Sequence, residues 1–213
     1  GDAMQLSAAN DAGTGISAGD EPPAWTAWTQ AFGSAARQSA RGNSNGYNLS
    51  NGGATIGLEK AVSERFRTGV ALGNARSWVR SKDNNGRTDI NATQVSWYGG
   101  YRVPENPFYV NYSLSYAYNE YGGSREIHVG PADNRVARAN YHSNLYGVMV
   151  EAGYAVAMEK AVVTPLLSVC YNRLQVAKYR EAGAGDLSLN VAAQDYERVR
   201  LAPGIRVETS HEA

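Results

Sequence analysis

The stretch from residue 108 to residue 121, FYVNYSLSYAYNEY, alternates in side-chain character from one residue to the next. Large apolar or aromatic side chains occupy every second position: Phe108, Val110, Tyr112, Leu114, Tyr116 and Tyr118. The residues between them are mostly small or polar. A period of two is that of a β-strand, in which successive side chains point to opposite faces of the sheet. The stretch therefore predicts a strand with one apolar face, which meets either a protein core or lipid.

Seven further segments have a strand-like pattern, and none of them shows a sustained helical period. The eight predicted strands are 25–38, 48–62, 66–80, 89–103, 107–121, 140–157, 161–178 and 194–209. Most are longer than the strands of soluble sheets, which usually have about five or six residues. The chain contains no apolar run of about 18 residues, the minimum for a transmembrane helix.

The connections between these segments alternate in length. Very short connections lie near 63–65, 104–106 and 158–160, and longer polar ones occupy 39–47, 81–89, 122–139 and 179–194. In an up-and-down barrel, alternate connections lie at the same end, so one end would carry tight turns and the other long loops. This asymmetry is typical of outer-membrane barrels. The predicted fold class is all-β, a transmembrane antiparallel up-and-down β-barrel with about eight strands present.

One face of the predicted strands has the dimensions of a lipid-facing band. Residues 108 to 118 rise roughly 33 Å along the strand, which projects to roughly 25 Å at a tilt of about 40°. Trp25 and Trp28 are predicted either as interface aromatics or as ordinary barrel packing. The predicted lipid-facing residues are Phe108, Val110, Tyr112, Leu114, Tyr116, Val148, Val150, Val199, Leu201 and Ile205.

The opposite face carries charged and small residues that suit a hydrated lumen. Three arginines of the last segment interleave with its apolar row, and Glu151 lies among glycines and a methionine. The predicted pore-lining residues are Glu59, Tyr109, Asn111, Ser113, Ser115, Glu151, Arg198, Arg200 and Arg206. A soluble ligand-binding barrel has the same period with its apolar face inward, so it stays as an alternative.

Charge and motif content argue against several other functions. The 20 basic and 20 acidic side chains balance, so a nucleic-acid footprint is not expected. Cys170 is the only cysteine, and His128, His142 and His211 lack metal-ligand spacing. No G-x-S-x-G motif supports a catalytic serine. The sequence predicts no metal, no cofactor and no enzymatic activity.

Four stretches resemble the translocator β-barrel of bacterial autotransporters, the type V secretion family. They are WTQAFGSAARQ (28–38), GGATIGLEKAVSERFRTGVALG (52–73), VEAGYAVAMEKAVVTPLLSVCYNRL (150–174) and GDLSLNVAAQDYERVRLAPGIRV (185–207). The resemblance implies a twelve-stranded outer-membrane barrel with a helix in its pore, which leads to an N-terminal passenger. It implies that residues 1–23 are a linker or the end of that helix and that 24–213 is the barrel domain, incomplete at its C-terminus. Asn10-Asp11 differs from the asparagine pair at which some members cleave themselves.

The resemblance also implies the partners and the location. The partners are outer-membrane lipid, the chain's own passenger domain and the barrel-assembly machinery. The location is the bacterial outer membrane. About eight strands are present and the last four of the family are expected to be missing, together with the terminal aromatic residue that the machinery recognises. A complete small barrel of the OmpA or OmpX kind stays as the alternative, because eight strands can close a barrel.

Overall fold

The structure, a computed structural model, describes six stretches of the chain. They are residues 25–39, 46–82, 86–103, 106–128, 134–159 and 161–209. The predicted linker or pore-helix end, residues 1–23, lies outside them. Within these stretches, no helix is long and apolar enough to cross a membrane.

Eight long strands form one antiparallel sheet in chain order, which confirms the predicted up-and-down fold. They are β1 (Trp25–Gln38), β2 (Tyr47–Ala61), β3 (Phe66–Ser81), β4 (Gly86–Arg102), β5 (Phe108–His128), β6 (Asn134–Tyr154), β8 (Val162–Val176) and β11 (Gln194–Glu208). Three two-residue strands accompany them: β7 (Val156–Ala157), β9 (Tyr179–Arg180) and β10 (Asn190–Val191). Strand β7 pairs with β8, and β9 pairs with β10.

The sheet remains open at both ends. Among the described residues, β1 pairs only with β2, and β11 pairs only with β8. These eight strands therefore do not close into the predicted barrel by themselves. Two edges of 14 and 15 residues keep unpaired backbone N–H and C=O groups.

The sequence predicts a long loop over 122–139, and this prediction is wrong for 122–128 and 134–139, the parts of it that the structure describes. Strands β5 and β6 pair without interruption from Phe108 opposite Tyr154 to His128 opposite Asn134. The Gly122-Gly123-Ser124 run is typical of turns, which hides the strand in the sequence. Because β5 and β6 lie side by side, continued pairing satisfies their backbone groups. The hairpin therefore extends well beyond the apolar part of the sheet.

Side chains divide sharply between the two faces of the sheet. The buried residues of the described long strands all share one face: Gly57, Gly69, Ala71, Ala117, Asn119, Ala137, Ala139, Ser143, Gly147, Gly153 and Thr164. We call this the polar face, because Glu59, Ser113, Glu151 and Arg200 also lie on it. The opposite, apolar face carries exposed large side chains that include Leu58, Leu114, Val148 and Val199.

Glycines on the polar face provide room for aromatic rings from β1 and β4. A Cβ atom added to Gly69 would lie 2.6 Å from the Leu58 carbonyl oxygen and 2.7 Å from the Tyr98 ring. The rings of Trp28 and Phe32 cover Gly57 and Gly53 in the same way. Trp28 also donates its indole N–H to the Tyr98 hydroxyl. Trp28 is therefore a packing residue of the polar face, the second of the two predicted roles.

Candidate functional site

The polar face brings predicted pore residues from four strands, β2, β5, β6 and β11, onto one side of the sheet. One row across the sheet runs through Glu59, Gly69, Tyr98, Ser113, Met149, Cys170 and Arg200. Directly opposed residues of antiparallel strands point to the same side of the sheet. A second row contains Asn111 opposite Glu151, and a third contains Ser115 and Arg198. All nine residues predicted to line the pore lie on this face.

Glu151 is the centre of a polar cluster on this face. Its carboxylate accepts a hydrogen bond of 3.1 Å from the Tyr109 hydroxyl and one of 3.0 Å from the Ser168 hydroxyl. A nitrogen of the Arg206 guanidinium lies 3.5 Å from the same carboxylate. Arg206 also lies over the Tyr109 ring, 6.0 Å from its centroid. The cluster joins β5, β6, β8 and β11 across the polar face.

Basic residues outnumber acidic ones where the polar face approaches the tight turns. Arg67 on β3 lies 3.4 Å from Glu59, and both border an open cavity of about 380 Å³. Arg102 and Arg206 border the same cavity. The sequence prediction missed Arg67 and Arg102. Arg67 shares its strand parity with Gly69, and Arg102 shares its strand parity with Tyr98, both of which lie on the polar face. Arg200 contacts the Cys170 sulfur at 4.0 Å.

All ten residues predicted to face lipid lie on the apolar face. Leu114 lies in register with Val148 and, through Tyr171, with Val199. Tyr112, Val150 and Leu201 belong to the next row. The remaining predicted residues lie an even number of positions along the same strands and therefore on the same face. Two polar groups on this face are paired within it: the indole N–H of Trp97 donates to the Thr68 hydroxyl at 2.8 Å, and the Tyr116 hydroxyl donates to the Asn144 side-chain oxygen at 2.7 Å. Such pairing suits an environment without water.

A folded cap lies on the polar face at the end of the sheet remote from the tight turns. It consists of residues 177–193, which contain β9, a short 3₁₀ helix (Gly185–Leu187) and β10. Backbone hydrogen bonds of 2.8 Å in both directions join Ala182 to Arg138 of β6. Gly183 has a φ of 97°, and a Cβ there would lie 2.6 Å from the Val136 carbonyl oxygen. Only glycine allows the backbone at position 183 to lie this close to β6. The sequence predicts a loop here and does not reveal this contact.

Aromatic and ionic contacts fix the cap. The rings of Tyr121, Tyr141 and Tyr179 stack in sequence, with centroid distances of 4.6 and 4.2 Å. The Arg125 guanidinium donates to the Glu181 carboxylate at 2.6 Å, and the same carboxylate accepts the Leu189 backbone N–H at 3.0 Å. This pair lies beyond the apolar part of β5, outside the predicted membrane-spanning segment.

The cap is expected to loosen in acid. The hydrogen bond from Arg125 holds the pKa of Glu181 below its ordinary value of 4.5. A carboxyl group with a lowered folded-state pKa stabilises above its ordinary pKa, and this contribution is lost as pH falls through the lowered pKa. We expect amide protons of residues 179–191 in the full-length protein to lose protection at pH 3 relative to pH 7, after correction for intrinsic exchange. Glu181→Gln should remove most of this pH dependence; an unchanged dependence would contradict the assignment.

Known proteins are similar to this chain in sequence. The autotransporter β-domain family model matches residues 27–213. Outer membrane protein B of Rickettsia japonica is 26% identical over 202 residues, covering 90% of this chain and 12% of that protein. Esterase EstA of Pseudomonas aeruginosa is 25% identical over 170 residues, covering 78% of this chain and 25% of that protein. The chain thus spans a small part of these relatives.

A solved structure supports the same fold. The translocator domain of autotransporter NalP from Neisseria meningitidis superposes with a TM-score of 0.70 at 15% identity, covering 86% of this chain and 60% of that chain. These matches do not favour a complete small barrel or a soluble ligand-binding barrel. The matched family is one of transport domains rather than enzymes. The chain therefore belongs to the autotransporter β-domain family.

Proposed function

We propose that this domain anchors an N-terminal passenger in the outer membrane and provides its route to the cell surface. The apolar face meets lipid, and the polar face lines the route. The observation that carries this assignment is the separation of the faces: buried small residues and charges share one face, and Leu58, Leu114, Val148 and Val199 lie exposed on the other.

The mechanism is physical rather than chemical. A polypeptide in transit exposes backbone N–H and C=O groups, which cannot cross hydrocarbon without hydrogen-bond partners. Hydroxyl, carboxylate and guanidinium groups along the polar face replace part of the water that such a chain loses. Glu151, Tyr109 and Arg206 are mutually paired, so they can exchange partners with a passing chain without leaving an isolated charge. No step requires catalysis by this domain.

The proposal also sets conditions on the rest of the protein. Because lipid cannot satisfy the edges of β1 and β11, further strands have to close the sheet between them. Residues 1–23 would connect the passenger to β1. Insertion of such a sheet would require the barrel-assembly machinery, since unpaired edges are unstable in the bilayer.

Surface display of the passenger tests the proposal. An epitope is inserted upstream of this domain in the full-length protein, and intact cells are probed with antibody and with external protease. We expect the epitope at the surface in the full-length protein and retained inside when residues 25–209 are deleted. A signal recovered in the soluble fraction after a carbonate wash, or display without the domain, would contradict the proposal.

A further inference from the structure

Four arginines lie in one cross-strand line on the continuation of the apolar face. Arg37 of β1 is opposite Asn48, which is opposite Arg80 of β3. Arg80 is opposite Arg87 of β4, and Ser124 connects Arg87 to Arg138 of β6. The sequence shows no such grouping, because successive members lie 43, 7 and 51 positions apart and come together only through strand register. We call these four residues the basic row.

The basic row lies beyond the apolar band, at the end of the sheet that carries the cap. On β5, Ser124 follows Tyr118, the last large side chain of the apolar alternation, by six residues. This separation is roughly 15 Å along the membrane normal for a strand tilted by about 40°. All four side chains are exposed. Trp78, two residues before Arg80 on the same face, is also exposed, as an interfacial aromatic would be.

The row is electrostatically unfavourable without an anion. Arg80 and Arg87 are directly opposed on neighbouring strands, an arrangement in which like charges destabilise a sheet. Asp89 lies 2.7 Å from Arg87 and offsets part of its charge. Glu126 lies on the same face one step beyond Ser124. These two carboxylates leave a positive surplus over the four guanidinium groups, and an external anion would relieve it.

We propose that the basic row binds the phosphorylated sugars of the outer-leaflet glycolipid. This inference rests on the proposed function, because it requires the apolar face to meet lipid. In outer-membrane barrels the long connections lie on the extracellular side, so a surface continuous with the lipid-covered band at this end meets the head groups of the outer-leaflet lipids. The planar guanidinium groups of arginine bind phosphate with paired hydrogen bonds, so the charge and the chemistry of the row fit this partner.

Affinity for a defined glycolipid tests the inference. The full-length protein is purified from outer membranes, and the dissociation constants of a rough-type lipopolysaccharide and its enzymatically dephosphorylated form are measured. We expect R80Q/R138Q to weaken binding of the phosphorylated form about 30-fold, as the loss of two cationic head-group contacts implies. Dephosphorylated glycolipid should bind the unsubstituted protein as weakly as the phosphorylated form binds the variant.

A matched variant controls for the loss of charge. K60Q/R65Q removes two positive charges at the tight-turn end, where Lys60 lies over the Trp25 ring. It should leave glycolipid affinity unchanged. Equal affinity of the phosphorylated form for all three proteins, or equal affinity of both glycolipids for the unsubstituted protein, would overturn the inference. So would equally tight binding of heparin, which would indicate a site for polyanions in general.

The experiment separates this inference from the proposed function. If the passenger is displayed and phosphate removal has no effect, the basic row has another role and the proposed function stands. If the passenger is not displayed by the unsubstituted protein, the proposed function fails first. If R80Q/R138Q fails to reach the outer membrane, the affinities of the two glycolipids for the unsubstituted protein still test whether the phosphate groups are recognised.

Discussion

Leu114→Arg is expected to destabilise the folded protein by about 2–4 kcal/mol, the cost of arginine on a lipid-facing strand position near the bilayer midplane. Leu114 lies on the apolar face, is 40% exposed and is flanked by Trp97 and Val148 in register. The guanidinium group would have no polar partner among these neighbours. Ser113→Arg is expected to cost much less. Ser113 points to the polar face and borders the cavity that Arg67 and Arg206 also line.

The measurement is the free energy of unfolding of the full-length protein in lipid vesicles, followed in urea by the heat-modifiable gel mobility of the folded form. The two variants introduce the same side chain at adjacent positions of one strand, so the change in net charge is the same in both. Equal effects, or a larger cost at Ser113, would show that the faces are assigned the wrong way round. The proposed lipid and pore surfaces would then exchange places.

Much of the strand architecture could be predicted because its determinants are local. The alternation at 108–118 fixes which side chains share a face, and this is a property of backbone geometry alone. The predicted bounds of β1 agree with the structure, and those of β2 and β3 agree to within one residue. Short turns such as 63–65 are equally local, since the Ser63 hydroxyl accepts the Phe66 backbone N–H.

The contacts between strands could not be predicted, because they depend on register. Arg206 and Glu151 are paired, yet they are 55 residues apart in the sequence. Through Ser168, Glu151 is in register with Ala202 of β11, and Arg206 lies four residues further along that strand. Nothing in either segment specifies that offset. The basic row is hidden for the same reason. The cap was missed for a different reason: its glycines resemble loop residues, although Gly183 serves a close approach to β6.

Because aromatic rings pack over the polar-face glycines, a side chain added at one of these glycines is expected to destabilise the protein. Gly53→Val is expected to destabilise the protein by about 1–3 kcal/mol, the usual cost of overpacking. A Cβ at this position would lie 2.5 Å from the Asn74 carbonyl oxygen, 2.7 Å from the Phe32 ring and 2.9 Å from the Ala75 Cα. Two of these three atoms belong to the backbone of β3, so the clash cannot be relieved by a rotamer change alone.

Gly52→Val is the matched control, since the two glycines are consecutive in β2 and point to opposite faces. The nearest atom to a Cβ at Gly52 is the Phe32 carbonyl oxygen at 3.8 Å, an ordinary contact. Valine there should be neutral or stabilise by about 0.5–1 kcal/mol, because glycine weakens strand interiors. Urea unfolding of both variants checks the difference. Combining Gly53→Val with Phe32→Ala should recover part of the loss, because the ring is removed while the Asn74 carbonyl remains. Equal effects at both glycines would show instead that β2 tolerates side chains on its polar face, and that the rings of β1 are not seated on its glycines.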